Sequence, residues 1–307
     1  MRLMKKFIIG LVIVLIVGFG IYLLTRSLSS KFDLASNSNA TTTGATTTDD
    51  QIATTTPVRT EQTVIGQSVL GREIIAYHYG QGDKEILFVG GIHGGYEWNT
   101  ALVAFQLRDY LKQDPSVIPS GVSVTVIPVL NPDGLEKVVG TTTGNFTKAD
   151  VASSAAAQVA GRFNANQVDL NRNFDCDWQA TGTWQNKSVS GGSAAFSEPE
   201  SQAIKTYLEN HKPAAVIVWY SSAGGVFSSS CHNDVSLATK ALTAKYATAS
   251  GYPAHESFDF YATTGDLVNW LAKNNIPAIS VLLTNHTDTE WSKNLAGIKA
   301  VLESYTQ

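Results

Sequence analysis

From about residue 65 to the C-terminus, short apolar runs alternate with segments whose apolar residues recur at helical spacing. Residues 85–89, 122–130, 214–219 and 278–283 read as strands, and 67–79 as two more around Gly71-Arg72. Residues 97–111, 235–250 and 291–304 read as helices, with a short one over 265–273. Another runs from Ser197-Glu-Pro-Glu200, a capping-box pattern with proline in the first turn, to about Asn210. Several strands are continuously apolar, the pattern of strands covered on both sides. The expected fold is therefore α/β, with a mixed, largely parallel central sheet and helices on both faces. Ligands of such sheets gather beyond the carboxyl ends of the strands. His93, Asn131 and Tyr220 stand at those ends. Asn131-Pro-Asp-Gly134 reads as a turn and 140–161 as a long surface excursion.

The N-terminus has a different character. Residues 7–24 form a run of 18 uncharged, mostly apolar residues preceded by Arg2, Lys5 and Lys6. Eighteen is near the minimum for a bilayer span, and the basic flank should stay cytoplasmic. Residues 1–26 are thus expected to be an uncleaved transmembrane anchor, with a cleaved signal peptide as the alternative. Residues 27–61 hold three Thr triplets and almost no large apolar side chains after Leu34, the composition of a flexible tether. That leaves 62–307 as the folded domain, outside the cytoplasm. Two cysteines, Cys176 and Cys231, then favour one disulfide over two free thiols. A net charge of -4 without a basic stripe argues against nucleic acid as a partner.

One stretch carries most of the chemistry, Arg162-Phe-Asn-Ala-Asn-Gln-Val-Asp-Leu-Asn-Arg-Asn-Phe174. Two arginines, four asparagines and an aspartate among five apolar residues suit neither an amphipathic helix nor a surface strand. Asn171-Arg172 pairs an amide with a planar five-donor fork, a combination suited to gripping a carboxylate. Arg162 is a second fixed cation that can meet a developing oxyanion. The plainer reading is an Asn-rich loop whose arginines make surface ion pairs.

The run Arg162-x-Asn-x-x-x-Val-Asp-Leu-Asn-Arg-Asn-Phe174, with Asn131-Pro-Asp-Gly134 upstream, resembles the substrate-binding segment of zinc metallocarboxypeptidases of the carboxypeptidase A type. The resemblance implies that family's fold and one zinc ion on His93, Glu97 and a third ligand. It also implies Arg162 on the oxyanion, and Asn171, Arg172 and Tyr261 on a peptide's C-terminal carboxylate. Val268 falls where the family sets its side-chain preference, favouring an uncharged terminal side chain. The sequence departs from the pattern in three places. His93-Gly-Gly-Tyr-Glu97 has one residue more than the family's ligand spacing. Tyr220 stands where the third ligand, a histidine, is expected, and a phenol ionising near pH ~10 is a poor zinc ligand. Leu282 stands where the general-base glutamate is expected. His232 and His286 are the candidate replacement ligands. Glu290 is the candidate replacement base, although an acidic residue at a helix start is ordinary.

Three functions stay open: a zinc carboxypeptidase, a catalytically inactive module that binds peptide C-terminal carboxylates, and a zinc-dependent deacylase of another amide. The expected partner in the first two is a peptide with a free C-terminus, for instance from the cell envelope.

Overall fold

The computed structural model describes residues 61–306, which belong to one compact unit. The anchor and tether expected for residues 1–60 lie outside the described residues. Among the described residues no helix is long and apolar enough to cross a membrane.

The centre is a mixed eight-stranded sheet. Its strands are β1 (Gln62–Gln67), β2 (Glu73–Gly80), β3 (Lys84–Val89), β4 (Val122–Ile127), β7 (Ala215–Ser221), β8 (Gly225–Ser228), β9 (Ala254–His255) and β10 (Ala278–Leu283), in the order β1-β2-β4-β3-β7-β10-β8-β9. The middle, β4-β3-β7-β10, is parallel. Antiparallel pairs flank it, β1-β2-β4 on one side and β10-β8 on the other. A separate hairpin pairs β5 (Thr181–Trp184) with β6 (Lys187–Ser190).

Both faces are covered because consecutive buried residues point opposite ways. Leu87, Val89, Val216 and Val218 pack on one side with α4 (Pro199–His211) and α6 (Leu267–Lys273). Ile86, Phe88, Ile217 and Trp219 pack on the other with α1 (Trp98–Gln113), α5 (Leu237–Ser250) and α7 (Trp291–Ser304).

Two local expectations give way, and a third, the surface excursion, holds with added detail. Asn131-Pro-Asp-Gly134 opens a helix, α2 (Pro132–Val139), in place of a turn, because the Asn131 side chain accepts from Gly134 N at 2.9 Å and Pro132 occupies the first turn. The excursion over 140–161 contains α3 (Ala155–Ala160) and sends Phe146 into a small core with Trp98. The capping box before α4 does not form. The residue before the helix, Glu198, makes no side-chain cap, and Glu200 turns inward to accept from Asn164 at 3.1 Å and from Val69 N at 3.1 Å.

Candidate functional site

The extra residue between His93 and Glu97 is taken up by a 3₁₀ turn over Gly94–Glu97, directly after β3. Gly94 makes the turn possible: its φ is +45°, and a Cβ there would lie 2.6 Å from the carbonyl of Gly161. The turn brings His93 Nδ1 and Glu97 Oε1 to 2.9 Å, both side chains buried. Neither His93 nitrogen has an aligned hydrogen-bond partner, and Glu97 Oε2 has none. Buried polar atoms are rarely left so. Two converging, unsatisfied donors are what two ligands of one cation look like.

Behind them lies Asp169, fully buried, a residue that the sequence run contained but that reading it did not single out. Its Oδ2 accepts from Arg162 Nε at 2.9 Å and lies 2.9 Å from the same guanidinium's NH2. Its Oδ1 lies 3.5 Å from His93 Nε2 and accepts from Asn171 N at 3.1 Å. Burial alone would push the carboxyl up; the Arg162 charge, with His93 and Arg172, outweighs it and holds Asp169 well below the usual range. Arg162 is further clamped by the rings of Trp184 (4.5 Å) and Tyr96 (5.7 Å). Trp184 comes from the β5–β6 hairpin, for which the sequence offered no signal.

His93, Glu97, Asn171, Arg172, Tyr220, Tyr261, Val268 and Leu282 all line one cavity of about 310 Å³. Arg162 lines an adjoining hollow with Tyr96, Trp184 and His286, and Glu97, Tyr261 and Leu282 belong to both. The two arginines therefore line adjoining hollows. Tyr261 lines both. Burial raises its phenol pKa, with the charges of Arg162 and Arg172 pulling against the rise, and its ring sits 5.7 Å from the Arg172 guanidinium. Gly265, at φ +64°, lets the Tyr261 segment approach the main chain of Arg172, whose carbonyl an added Cβ would meet at 2.3 Å.

Arg172 donates to the carbonyls of Asn171 (2.8 Å) and Thr183 (2.9 Å), while its buried Nε–H has no partner. Asn171 is more committed. Its Oδ1 accepts from Tyr220 OH at 3.2 Å and Leu267 N at 3.1 Å, and its Nδ2 donates to Asp266 Oδ2 at 2.8 Å. Asp266, a second residue the sequence reading missed, is a buried carboxylate in the cavity wall beside Asn171 and Arg172. Burial pushes its carboxyl up, opposed by donation from Asn269 N and Asn171 and by the Arg172 charge.

The position of the expected third ligand belongs to Tyr220. Its ring is tilted against His93 at 5.6 Å, and its phenol pKa is pushed well above 10, first by burial and then by Asp266 and Glu97. The phenol is thus a hydrogen-bond donor to Asn171, not an anionic ligand. Leu282 is Tyr220's neighbour across the β7–β10 pair, so the two departures stand side by side on one sheet face. Neither candidate replacement ligand joins His93 and Glu97. His286 Nδ1 lies 2.8 Å from Ser221 Oγ and its ring packs on Tyr96 at 4.8 Å. His232 pairs with Asp177. Among the described residues, the only three His, Cys, Asp or Glu whose ligand atoms gather within 4.8 Å are Cys176, Cys231 and His232. Those two cysteines form a disulfide, Cα atoms 6.1 Å apart. Catalytic zinc takes three protein ligands and a water; the residues present at His93 supply two, and the donor set does not fit that ion.

Glu290 is not brought to the cavity. It accepts from Thr284 N (2.7 Å), Thr284 Oγ1 (2.8 Å) and Tyr252 OH (2.8 Å), tying the end of β10 to the start of α7. With those donors already in place, the carboxylate closes a loop and does not reach back toward Glu97.

The zinc carboxypeptidase family model matches residues 47–296. The human carboxypeptidase N catalytic chain is 25% identical over 209 residues, 64% of this chain and 40% of that one. Bovine carboxypeptidase B is 28% identical over 173 residues, 53% of this chain and 39% of that one. A zinc carboxypeptidase of Simulium vittatum is 29% identical over 171 residues, 53% of each chain. The chain thus covers between two fifths and about half of the length of these curated relatives. Among solved structures, bovine thrombin-activatable fibrinolysis inhibitor superposes with TM-score 0.61 at 17% identity, over 80% of this chain and 88% of that one. The murein-tripeptide amidase MpaA of Escherichia coli O157 superposes with TM-score 0.57 at 18% identity, over 81% and 93%. At such identities the structures speak to fold alone. The family match spans most of the sequence, and with it the chain belongs to the zinc carboxypeptidase family.

Proposed function

We propose that this chain is an extracytoplasmic, membrane-tethered binding module that captures peptides by their free C-terminal carboxylate without hydrolysing them. The observation that carries this reading is Tyr220. It fills the third-ligand position with a protonated phenol that donates to Asn171, beside a leucine where a base is needed. Losing a positioned base alone typically costs ~10²–10⁴ in rate.

The gripping half remains equipped. Arg172 lines the cavity and has one N–H, that of the buried Nε, without a partner, and Tyr261 and Arg162 line the adjoining hollow. An arriving carboxylate meets fixed charge without reorganisation. Val268 and Leu282 line the cavity that would take the terminal side chain, together with the polar Ser228, Ser280 and Asn269. We read these residues as favouring an uncharged terminal side chain, with the Asp266 carboxylate also in the wall. Hydrolysis, of a peptide or of another amide, is the second reading; the converging His93–Glu97 pair favours it, and the incomplete ligand set weighs against it.

The test is calorimetric titration of the disulfide-intact chain with an N-acetylated peptide as its free acid and as its amide. The free acid binds and the amide does not, and the recovered peptide is intact. Equal binding of both would show that the carboxylate is not what the pocket reads.

A further inference from the structure

Two dipeptides, Cys176-Asp177 and Cys231-His232, meet in the wall of the main cavity. In each, the residue after the cysteine has left-handed backbone: Asp177 at φ +53° and His232 at φ +63°. Such values are uncommon outside glycine. The pair of turns brings Asp177 Oδ1 within 3.0 Å of His232 Nε2, and Asp177 Oδ2 within 4.0 Å of Cys176 Sγ. Ligand atoms of Cys176, Cys231 and His232 lie within 4.8 Å of one another. The disulfide brings the two dipeptides together, and the Asp177 and His232 side chains beside it are more than half exposed, so their mutual ion pair adds little and leaves both able to turn to a cation.

We infer that Cys176, Cys231, His232 and Asp177 form a latent site for one thiophilic divalent cation, of which zinc is the representative, opened when the disulfide is reduced. Two thiolates, an imidazole and a carboxylate are a tetrahedral zinc set. The bridged sulfurs cannot serve, because the thiolate is the ligand. A thiol or phosphine reductant supplies two electrons and the S–S bond breaks to give two thiols. A thiol reductant leaves as its own disulfide, passing its two protons to the cysteines; a phosphine leaves as its oxide, one water supplying the oxygen and the two protons. Cation binding then displaces the two thiol protons to solvent. Zinc–sulfur bonds of about 2.3 Å place two sulfurs roughly 3.7 Å apart, which cysteines with Cα atoms 6.1 Å apart reach by side-chain rotation. The cation would join the same two segments as the bridge and add positive charge to the cavity wall. It shares no ligand with His93 and Glu97.

The full chain is titrated with Co(II) and with Zn(II), as the disulfide and after reduction by a phosphine under inert gas. The reduced chain is expected to take up one equivalent, with thiolate-to-cobalt charge-transfer absorption that Zn(II) abolishes. The disulfide form is expected to show none of that absorption. His232→Ala and Asp177→Asn, both at exposed positions, should each weaken uptake at least about tenfold, as loss of one of four ligands implies. His93→Ala should leave it unchanged. Absence of the charge-transfer band in the reduced chain, or unchanged affinity in both His232→Ala and Asp177→Asn, overturns the inference. Should reduction unfold the chain, Zn(II) must restore the native circular dichroism spectrum; failure to do so overturns it equally.

Discussion

Asp169→Ala probes the frame behind the cleft. The carboxylate is fully buried and faces Arg162, itself 2% exposed, through contacts of 2.9 Å to Nε and NH2. Removing it leaves the buried guanidinium with the Glu97 carboxylate, Oε1 3.7 Å from NH1, as its remaining counter-ion among the described residues, and Asn171 N loses its acceptor at the turn that precedes Arg172. Breaking a buried pair by removing one partner costs about 3–5 kcal/mol. Against a total domain stability of about 5–15 kcal/mol, that is a large fraction. In a domain of this size about 2–4 °C of melting temperature accompanies each kcal/mol, so a fall of roughly 6–20 °C is expected. Urea unfolding of the disulfide-intact chain, followed by tryptophan fluorescence, gives the free energy directly. The companion variant Arg162→Met with Asp169→Leu removes both charges of the pair and should recover the ion-pair part of the loss, while Asn171 N still lacks its acceptor and Glu97 loses a neighbouring cation. A loss below about 1 kcal/mol for Asp169→Ala, the size of a surface pair, would refute the reasoning.

Other expectations concern the cavity. Arg172→Ala removes charge-assisted hydrogen bonds worth about 1.5–3 kcal/mol, so affinity for a free-acid peptide should fall roughly 10- to 150-fold by calorimetry. Its urea midpoint serves as the control for folding. Asp266 sets a pH dependence. Its folded carboxyl is raised by burial, so on acidification from neutrality it takes up a proton while the ligand carboxylate is still ionised. Peptide affinity should therefore rise as the pH falls, until the ligand's own carboxyl protonates near pH ~3.5, and the profile of Asp266→Asn should be flat across that interval. The same shift means that Asp266's contribution to stability is present below its unfolded value and is lost as the pH rises through its folded value. Urea midpoints of the native chain and Asp266→Asn should converge under acid conditions.

Much of the fold was legible because buried strands and amphipathic helices leave strong periodic signals. Ala278–Leu283 and Trp291–Ser304 have the bounds that the sequence implied. What failed were places where one side chain decides between similar local structures. The Asn131 side chain turned an apparent turn into a helix start, and Asn164 drew Glu200 away from its cap. β8 and β9, four and two residues long, gave no periodicity to read. In the site, the cationic and amide residues were visible because such groups are rare together in a short run. Asp169 was passed over as one acid among asparagines, although its burial makes it the hub. Asp266 and Trp184 reach the cleft only through tertiary folding, Asp266 ahead of α6 and Trp184 from a hairpin the sequence did not announce. The fate of Glu290 likewise depended on a hydroxyl 38 residues away, that of Tyr252.

The central claim is that Tyr220 and Leu282 have disabled a hydrolytic centre while leaving its grip. It is tested most directly by zinc content and peptide cleavage measured on one sample of the disulfide-intact chain after zinc is offered and excess removed. The account predicts less than about a tenth of an equivalent at His93 and Glu97 and no cleavage, with both gained by Tyr220→His combined with Leu282→Glu. A full equivalent of zinc and turnover of free-acid peptides by the native chain would contradict it.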